Sequence, residues 1–259
     1  MGTMVSPHRS RAQSTAGVSS VTRPHLIAMT ALAGLCACGV NVVNAPAGAP
    51  PISSAPGEVA FVDYLRNAHR YTLNATDSSD NTYIVLFNSE PNAVATTFNG
   101  AAPAYRTVDT LTLKLEGVFG GTLTNTIATN YYLLNPYVPL RKTFTTGTPY
   151  GLTTSSTPLP TTFTVGNTGP IYSLTYYHDS TMAVIDGDET ATYSVYAVDS
   201  KTLKVCLSFV LSDVTLVGGS DGLVPGPEET DCYSEGASGA MSLISVAIMV
   251  STDETLDFT

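Results

Sequence analysis

Few residues in this chain have the types and spacing that chemistry requires, and the clearest of them lie in its second half. Residues 218–222 read GGSDG and match the GxSxG pattern, in which a serine at a sharp strand-to-helix turn is the nucleophile of ester hydrolysis. That chemistry needs a helix after the turn and a histidine later in the chain. Here residues 225–227 read PGP, which breaks a helix, and His69 and His178 both precede Ser220. The pattern therefore predicts a glycine-rich loop without a catalytic serine.

Two groups of acidic residues could act in catalysis or in metal binding. Residues 186–189 read DGDE, and residues 228–231 read EETD. Paired carboxylates hydrolyse glycosides when one of them stays protonated in an apolar pocket, and carboxylate oxygens also bind calcium. Both groups lie in polar, turn-like stretches, which favours solvated turns. A weak calcium site is one alternative, and a secreted hydrolase that uses Asp186 or Asp221 is another. The main prediction is a protein with no catalytic residue, no metal ligand and no cofactor.

Residues 26–38 form a short apolar segment behind a positively charged flank that ends at Arg23. A transmembrane helix needs about 20 apolar residues, whereas this segment is shorter and Asn41 and Asn44 follow it. A charged flank, an apolar stretch of about 7–15 residues and small residues at its end are typical of a secretory signal peptide. The segment therefore predicts that the chain is exported.

The end of this segment resembles the lipobox of bacterial lipoproteins, in which a small residue precedes a cysteine and a leucine commonly lies three positions before it. Cys38 fits that pattern, with Leu35, Cys36 and Ala37 before it. The resemblance implies cleavage before Cys38 and the attachment of lipid to its thiol and its amine. Two or more acyl chains anchor a protein stably in a membrane, whereas a single acyl chain gives only marginal binding. It also implies a lipid-anchored protein of the bacterial cell envelope. An aspartate directly after the cysteine tends to retain the lipoproteins of enteric bacteria at the inner membrane. Here Gly39 follows the cysteine, so the resemblance implies the outer membrane. Ordinary signal-peptidase cleavage near Ala37 is the alternative.

The sequence divides into three parts. Residues 1–37 are predicted to be the signal peptide; residues 1–20 precede its apolar part, and we predict that translation begins later, near Val18 or Val21. Residues 38–57 are rich in Pro, Ala, Gly and Ser, which predicts an extended, lipidated tether. Residues 58–259 are predicted to form a β-rich domain.

The charge of the exported chain limits its partners. The full chain has a net charge of −10, with 11 Lys and Arg against 21 Asp and Glu. Loss of residues 1–37 removes three arginines and no acidic residue, so the net charge becomes −13. Such a chain has no basic face for phosphates, which argues against nucleic acid, and anionic lipid surfaces repel it. The predicted partner is therefore the bilayer, reached through acylated Cys38; the ligand or protein partner of the domain is left open.

Cys206 and Cys232 are the only cysteines beyond the lipobox. In an exported protein this pair is predicted to form a disulfide, and two free thiols are the alternative. Neither lies in a CxxC arrangement, which argues against redox catalysis and against zinc.

Hydrophobic periodicity predicts an all-β fold. Residues 58–70 fit one helix. Later segments alternate apolar and polar residues, with turn signals about every eight to twelve residues. This pattern is typical of an antiparallel sandwich or barrel. The strongest hairpin spans residues 190–211. Residues 143–162 and 218–236 are predicted to be loops, with Cys232 stapling the second loop across the outside of the sheet. An exposed row of tyrosines would provide a binding platform, although packing in half-buried strands is the commoner use of tyrosine.

Overall fold

The computed structural model describes residues 50–92, 96–97, 103–117, 120–251 and 254–259. The predicted signal peptide, Cys38 and most of the predicted tether lie outside the described residues. Neither helix in the described part of the chain has the length and apolar character needed to cross a bilayer.

The described chain consists mainly of β-strands and has two short helices. The helices are α1 (Glu58–Leu65) and α2 (Leu216–Ser220). The strands are β1 (Ser54–Pro56), β2 (His69–Thr76), β3 (Thr82–Pro91), β4 (Thr96–Thr97), β5 (Pro103–Leu115), β6 (Gly121–Leu134), β7 (Tyr137–Phe144), β8 (Tyr150–Ser156), β9 (Thr162–Thr164), β10 (Thr168–Tyr177), β11 (Ile185–Ala197), β12 (Thr202–Ser212), β13 (Gly226–Gly236), β14 (Met241–Ser251) and β15 (Glu254–Phe258).

Twelve strands follow one another in a single antiparallel path, in the order β15, β14, β13, β12, β11, β10, β8, β7, β6, β5, β3 and β2, and β4 pairs with β5. The two ends of this path meet. The amide of Asn74 in β2 donates to the carbonyl of Thr259 (3.2 Å), and the amide of Thr259 donates back to the carbonyl of Asn74 (3.0 Å). The sheet therefore forms a nearly closed barrel, which removes most unpaired edge groups. The all-β prediction is confirmed, and the architecture is the barrel.

Alternation along the strands directs apolar side chains into the barrel. The predicted hairpin is confirmed by β11 and β12, which pair in register from Asp188 and Ser212 to Ala197 and Leu203. Alternate residues of β12 are buried in the apolar core inside the barrel or pack against it. They are Leu203, Val205, Leu207, Phe209 and Leu211. The hairpin therefore supplies one continuous apolar part of the barrel wall.

The segment before β2 packs into the interior of the barrel. The predicted helix is confirmed over Glu58–Leu65, and Phe61 and Tyr64 belong to the main core. The composition predicts a tether through residue 57, but Ser54–Pro56 is strand β1, which pairs with β9, and the amide of Gly57 donates to the carbonyl of Thr161 (2.9 Å). The folded domain therefore begins before residue 58.

The prolines of the region from residue 136 to residue 160 interrupt the sheet less than the sequence predicts. Loop was predicted over residues 143–162, but Tyr150–Ser156 is strand β8, and β7 and β8 both lie within the sheet. Proline lacks an amide hydrogen, so it is tolerated in a sheet where the ladder is irregular. Pro139 lies opposite Tyr132 at such a point, because the register between β6 and β7 shifts between Tyr131 and Tyr132.

Cys206 and Cys232 form a disulfide with an S–S distance of 2.10 Å, as the sequence predicts. They lie directly opposite each other on β12 and β13. The predicted loop over residues 218–236 is wrong, since helix α2 and strand β13 occupy most of it. The disulfide therefore joins neighbouring strands and does not staple a loop to the outside of the sheet.

We expect Cys232→Ser to lower the free energy of unfolding by about 3 kcal/mol, because the bond closes a loop of 26 residues in the unfolded chain. Urea unfolding of the variant and of the wild type, each with and without reductant, measures the change. The double variant Cys206→Ser/Cys232→Ser is the control and should match the single variant. A wild-type unfolding curve that does not move when both thiols are reduced contradicts the prediction.

Candidate functional site

A cavity of about 450 Å³ lies inside the barrel. Helix α1 forms part of its wall through Phe61, Tyr64 and Leu65, and Gly222 and Val224, which follow α2, form another part. Strands from both halves of the sheet complete the lining. This volume falls within the range of about 300–1,000 Å³ that is usual for small-molecule sites. The cavity is therefore the main candidate site of the described chain.

Aromatic rings cover much of the cavity wall and hold one another in place. The rings of Phe61 and Tyr137 meet edge to face with centroids 5.1 Å apart, and those of Tyr64 and Tyr233 do so at 5.0 Å. Edge-to-face pairs at these distances stabilise a packed structure by about 0.5–1.5 kcal/mol each. The tyrosines thus contribute to a preformed interior surface, in place of the exposed platform that the sequence left open.

Asp109 places a carboxylate in this apolar surrounding. Its side chain accepts hydrogen bonds from Ser89 Oγ (2.6 Å), Thr107 Oγ1 (3.1 Å) and Asn130 Nδ2 (2.6 Å). Burial raises the pKa of Asp109, and these three donors partly counter that rise. Asp109 lies on the same face of β5 as Leu111 and Leu113, so strand alternation alone could have identified it as an interior acid.

Glu229 and Asp231 form a second acidic group in the cavity wall. Burial, followed by the neighbouring Asp231, raises the pKa of Glu229 well above its usual value, which favours the protonated form of Glu229 in its hydrogen bond with Asp231. Burial also raises the pKa of Asp231, to about 6. Asp231 Oδ1 has no hydrogen-bond partner among the residues that the structure describes. Near pH 7 Asp231 therefore faces the cavity with a negative charge and a vacant acceptor.

Glu189 is a third interior acid, but its charge is compensated. It is fully buried and accepts hydrogen bonds from Tyr172 Oη (2.6 Å), Tyr176 Oη (2.7 Å) and Lys142 Nζ (3.4 Å). Burial would raise its pKa, but the charge of Lys142 and the two tyrosine hydroxyls outweigh that effect and the pKa of Glu189 is lowered. Lys142 thus neutralises Glu189, and the other acidic and basic groups of the cavity lining are the carboxyls of Asp109, Asp231 and Glu229 and the guanidinium of Arg141.

The interpretation of the two acidic groups as solvated turns is wrong. Asp186 and Glu189 are fully buried on β11, and Glu229 and Asp231 line the cavity from β13. Residues 228–231 look turn-like in the sequence, yet alternation along β13 places both Glu229 and Asp231 on the interior face. Asp186 and Glu189 are three positions apart, and the register of β10 with β11 shifts at Asp186, where Tyr176 pairs with Gly187 and Tyr177 with Ile185. Their interior position was the part that the sequence did not reveal.

The GxSxG match has no nucleophile geometry. Ser220 is the last residue of α2, and its hydroxyl donates to the carbonyl of Leu216 at 3.0 Å, as an ordinary helical serine does. His178 instead pairs with Asp221, with 2.6 Å between His178 Nδ1 and Asp221 Oδ2. Asp186 joins these two residues, and one ligand atom from each of the three lies within 4.8 Å of the others. The structure therefore brings Asp186 and Asp221 together, without a serine.

We expect the domain to be more stable at pH 5 than at pH 8, by several degrees in the midpoint of thermal unfolding. Burial raises the pKa of five interior carboxyl groups. The pKa rises to about 6 for Asp186 and Asp231 and to about 7 for Glu235, and it is also raised for Asp109 and Glu229. Between about pH 4 and pH 7 the native state thus binds more protons than the unfolded chain, so stability rises as pH falls through that window.

Thermal unfolding at half-unit pH steps measures this trend. The variant Glu235→Gln should be more stable than the wild type at pH 8 and should depend less on pH, because it removes a fully buried carboxyl whose oxygens have no partner among the described residues. Glu254→Gln, at an exposed position, is the control. A stability maximum at pH 8 would overturn the expectation.

No protein-family model matches the chain, and comparisons with curated proteins and with solved structures found no match. The barrel interior and its charges are thus the basis for assigning a function.

Proposed function

We propose that this protein is a lipoprotein of the bacterial cell envelope whose barrel binds a small, largely apolar molecule that carries a protonated amine. The cavity of about 450 Å³ is the observation that carries the binding role. Small-molecule sites are mostly apolar, with a few polar groups that fix the orientation of the ligand. This cavity has that composition, because its aromatic and aliphatic walls surround Asp109 and Asp231.

The charge of the cavity favours a cationic group over an anionic one. Lys142 is paired with Glu189, and the guanidinium carbon of Arg141 lies 4.1 Å from the centre of the Tyr131 ring. Asp231 has a vacant acceptor and carries a negative charge at neutral pH. An ammonium group would satisfy that acceptor and could also contact aromatic faces of the wall, which attract cations. A carboxylate ligand would meet like charge at Asp231, and Arg141 is the cationic group of the lining that it would have to reach instead.

The anchor is supported by the sequence. The apolar segment at residues 26–38 is too short to span a bilayer, and Cys38 follows Leu35 and Ala37 in the lipobox pattern. A domain with net negative charge needs such an attachment, since anionic lipid surfaces repel it.

A secreted hydrolase is the second candidate, because the carboxylates of Asp186 and Asp221 lie within 4.8 Å of each other. Asp186, however, has no exposed surface that a substrate could contact. In the cavity, Glu229 and Asp231 are hydrogen-bonded to each other, so their carboxyls are closer than the separation of about 5 Å or more that glycosidases use. These observations favour binding over catalysis.

We expect metabolic labelling with palmitate to mark the wild-type protein and to leave Cys38→Ala unlabelled. The wild type should fractionate with membranes, because two or more acyl chains hold a protein there stably. Cys36→Ala is the matched control, since it removes a neighbouring thiol and keeps the lipidated one, so it should be labelled like the wild type. If wild type and Cys38→Ala are both soluble and unlabelled, the anchor is wrong.

We expect the purified protein to bind dodecylamine and not dodecanoate, since only the amine complements the interior carboxylates. Asp231→Asn should lower the affinity for dodecylamine by about 10- to 100-fold, because the substitution removes a charged hydrogen-bond acceptor. Affinity should also fall between pH 7 and pH 5, as Asp231, with a pKa of about 6, takes up a proton.

Isothermal titration calorimetry measures both effects. Asp257→Asn, which removes an exposed carboxylate from β15, is the control and should bind like the wild type. Equal affinity for the amine and for the carboxylate, or an unchanged affinity in Asp231→Asn, would show that the interior carboxylates do not select the ligand.

A further inference from the structure

His178, Asp186 and Asp221 form a cluster at one end of the barrel, apart from the interior acids. His178 directly follows β10, Asp186 is the second residue of β11, and Asp221 directly follows α2. One potential ligand atom from each residue lies within 4.8 Å of the other two. The sequence gives no sign of this cluster, because the first and last of these residues are 43 positions apart and follow no ligand-spacing motif.

Backbone contacts hold the cluster in place. The amide of His178 donates to the carbonyl of Val184 (3.0 Å), which closes the turn between β10 and β11. The amide of Thr215 donates to the carbonyl of Asp186 (2.8 Å), which fixes the start of α2 on β11. Gly218 packs so tightly there that a Cβ on it would lie 2.1 Å from the Asp186 carbonyl oxygen. The three ligand-bearing segments are therefore positioned by main chain and do not depend on an ion for their fold.

Asp186 is the residue that points to a ligand. It has no exposed surface, and neither of its carboxylate oxygens accepts a hydrogen bond from an N–H or hydroxyl donor among the described residues. Carboxylates without such donors are very rarely buried, because they lose hydration without replacement. Burial, a hydrogen bond to the carboxyl of Asp221 and the charge of Asp221 raise the pKa of Asp186 to about 6, so the two carboxylates repel each other once the proton between them is lost. A cation between them would remove both penalties.

We propose that His178, Asp186 and Asp221 bind one divalent transition-metal ion of the Zn²⁺ type. The set combines one imidazole nitrogen with two carboxylates, and imidazole selects zinc and its neighbours over calcium, which takes oxygen ligands. Three protein ligands leave a coordination position for water. Metal–ligand bonds of about 2.1 Å in a tetrahedral arrangement hold the ligand atoms about 3.4 Å apart, so the three side chains must adjust by about an ångström on binding.

The exposure of His178 and Asp221 provides access for the ion. The side chain of His178 is 44% exposed and that of Asp221 is 13% exposed, whereas Asp186 lies beneath them. The hydrogen bond between His178 Nδ1 and Asp221 Oδ2, at 2.6 Å, opens and releases its proton to solvent when both atoms bind the ion. The bound ion would tie α2 to the ends of β10 and β11. Gly222, the residue after Asp221, lines the barrel cavity, so the site would stabilise one end of that cavity.

The test uses the purified full-length protein, stripped of metal with a chelator and dialysed into metal-free buffer. Titration with Zn²⁺, followed by calorimetry and by elemental analysis after dialysis, should give one ion per chain. Asp186→Asn should lower the affinity for Zn²⁺ at least tenfold. Asp188→Asn is the matched control on the same strand; its side chain accepts a hydrogen bond from Thr175, which an amide oxygen preserves, so it should bind Zn²⁺ like the wild type.

Thermal unfolding adds a readout that a purely structural role for Asp186 would not give. Without metal, Asp186→Asn should melt above the wild type, because an amide is cheaper to bury than an unpaired carboxylate. With Zn²⁺ the order should reverse, since only the wild type gains from the ion. Should Asp186→Asn fail to fold, His178→Ala, at a partly exposed position, supplies the second variant and should lose Zn²⁺ binding in the same way.

Three outcomes would overturn the proposal. They are the absence of saturable Zn²⁺ binding to the wild type, equal Zn²⁺ binding by wild type and Asp186→Asn, and Ca²⁺ affinity as high as that for Zn²⁺. The first would mean that Asp186 and Asp221 share a proton in place of an ion. None of these outcomes bears on ligand binding in the barrel cavity, which dodecylamine tests separately.

Discussion

The structure depends on the closure of one antiparallel sheet upon itself. The reciprocal hydrogen bonds between Asn74 and Thr259 join the two ends of the strand path, and they turn the inner face of the sheet into an interior. Without closure, the face that carries Leu203, Val205 and Leu207 would be exposed to water, and β2 and β15 would be free edges. With closure, α1 can pack against that face, and the barrel retains a cavity beside the helix.

The same closure explains the electrostatics of the interior. Strand alternation sends not only leucines but also Asp109, Glu189 and Asp231 inward, where burial reduces their hydration. Each acid meets this constraint differently. Asp109 is hydrogen-bonded by three side chains, Glu189 is neutralised by Lys142, and Asp231 is hydrogen-bonded to a protonated Glu229. A core made only of apolar residues would be simpler to fold, and these acids are the groups on which the proposed ligand binding depends.

The sequence predicts the fold better than it predicts the site. Period-two patterns identify the β11–β12 hairpin, and a lone pair of cysteines in an exported chain predicts the disulfide. Strand β8 was missed because prolines near it suggest loop, and a shifted register that tolerates Pro139 is visible only in three dimensions. The acids of residues 186–189 were misread because a polar residue on an interior face is indistinguishable, in one sequence, from a polar residue in a turn.

Pairing around the barrel is uneven. Strands β7 and β8 are joined by only three residue pairs, Arg141 with Leu152, Lys142 with Gly151 and Thr143 with Tyr150, whereas β11 and β12 are joined by ten. Lys142 lies within that short ladder and reaches across β8 and β10 to Glu189 on β11. The buried ion pair between Lys142 and Glu189 thus links strands on either side of this short ladder. Local opening of the wall between β7 and β8 would therefore break fewer ladder pairs than opening between β11 and β12.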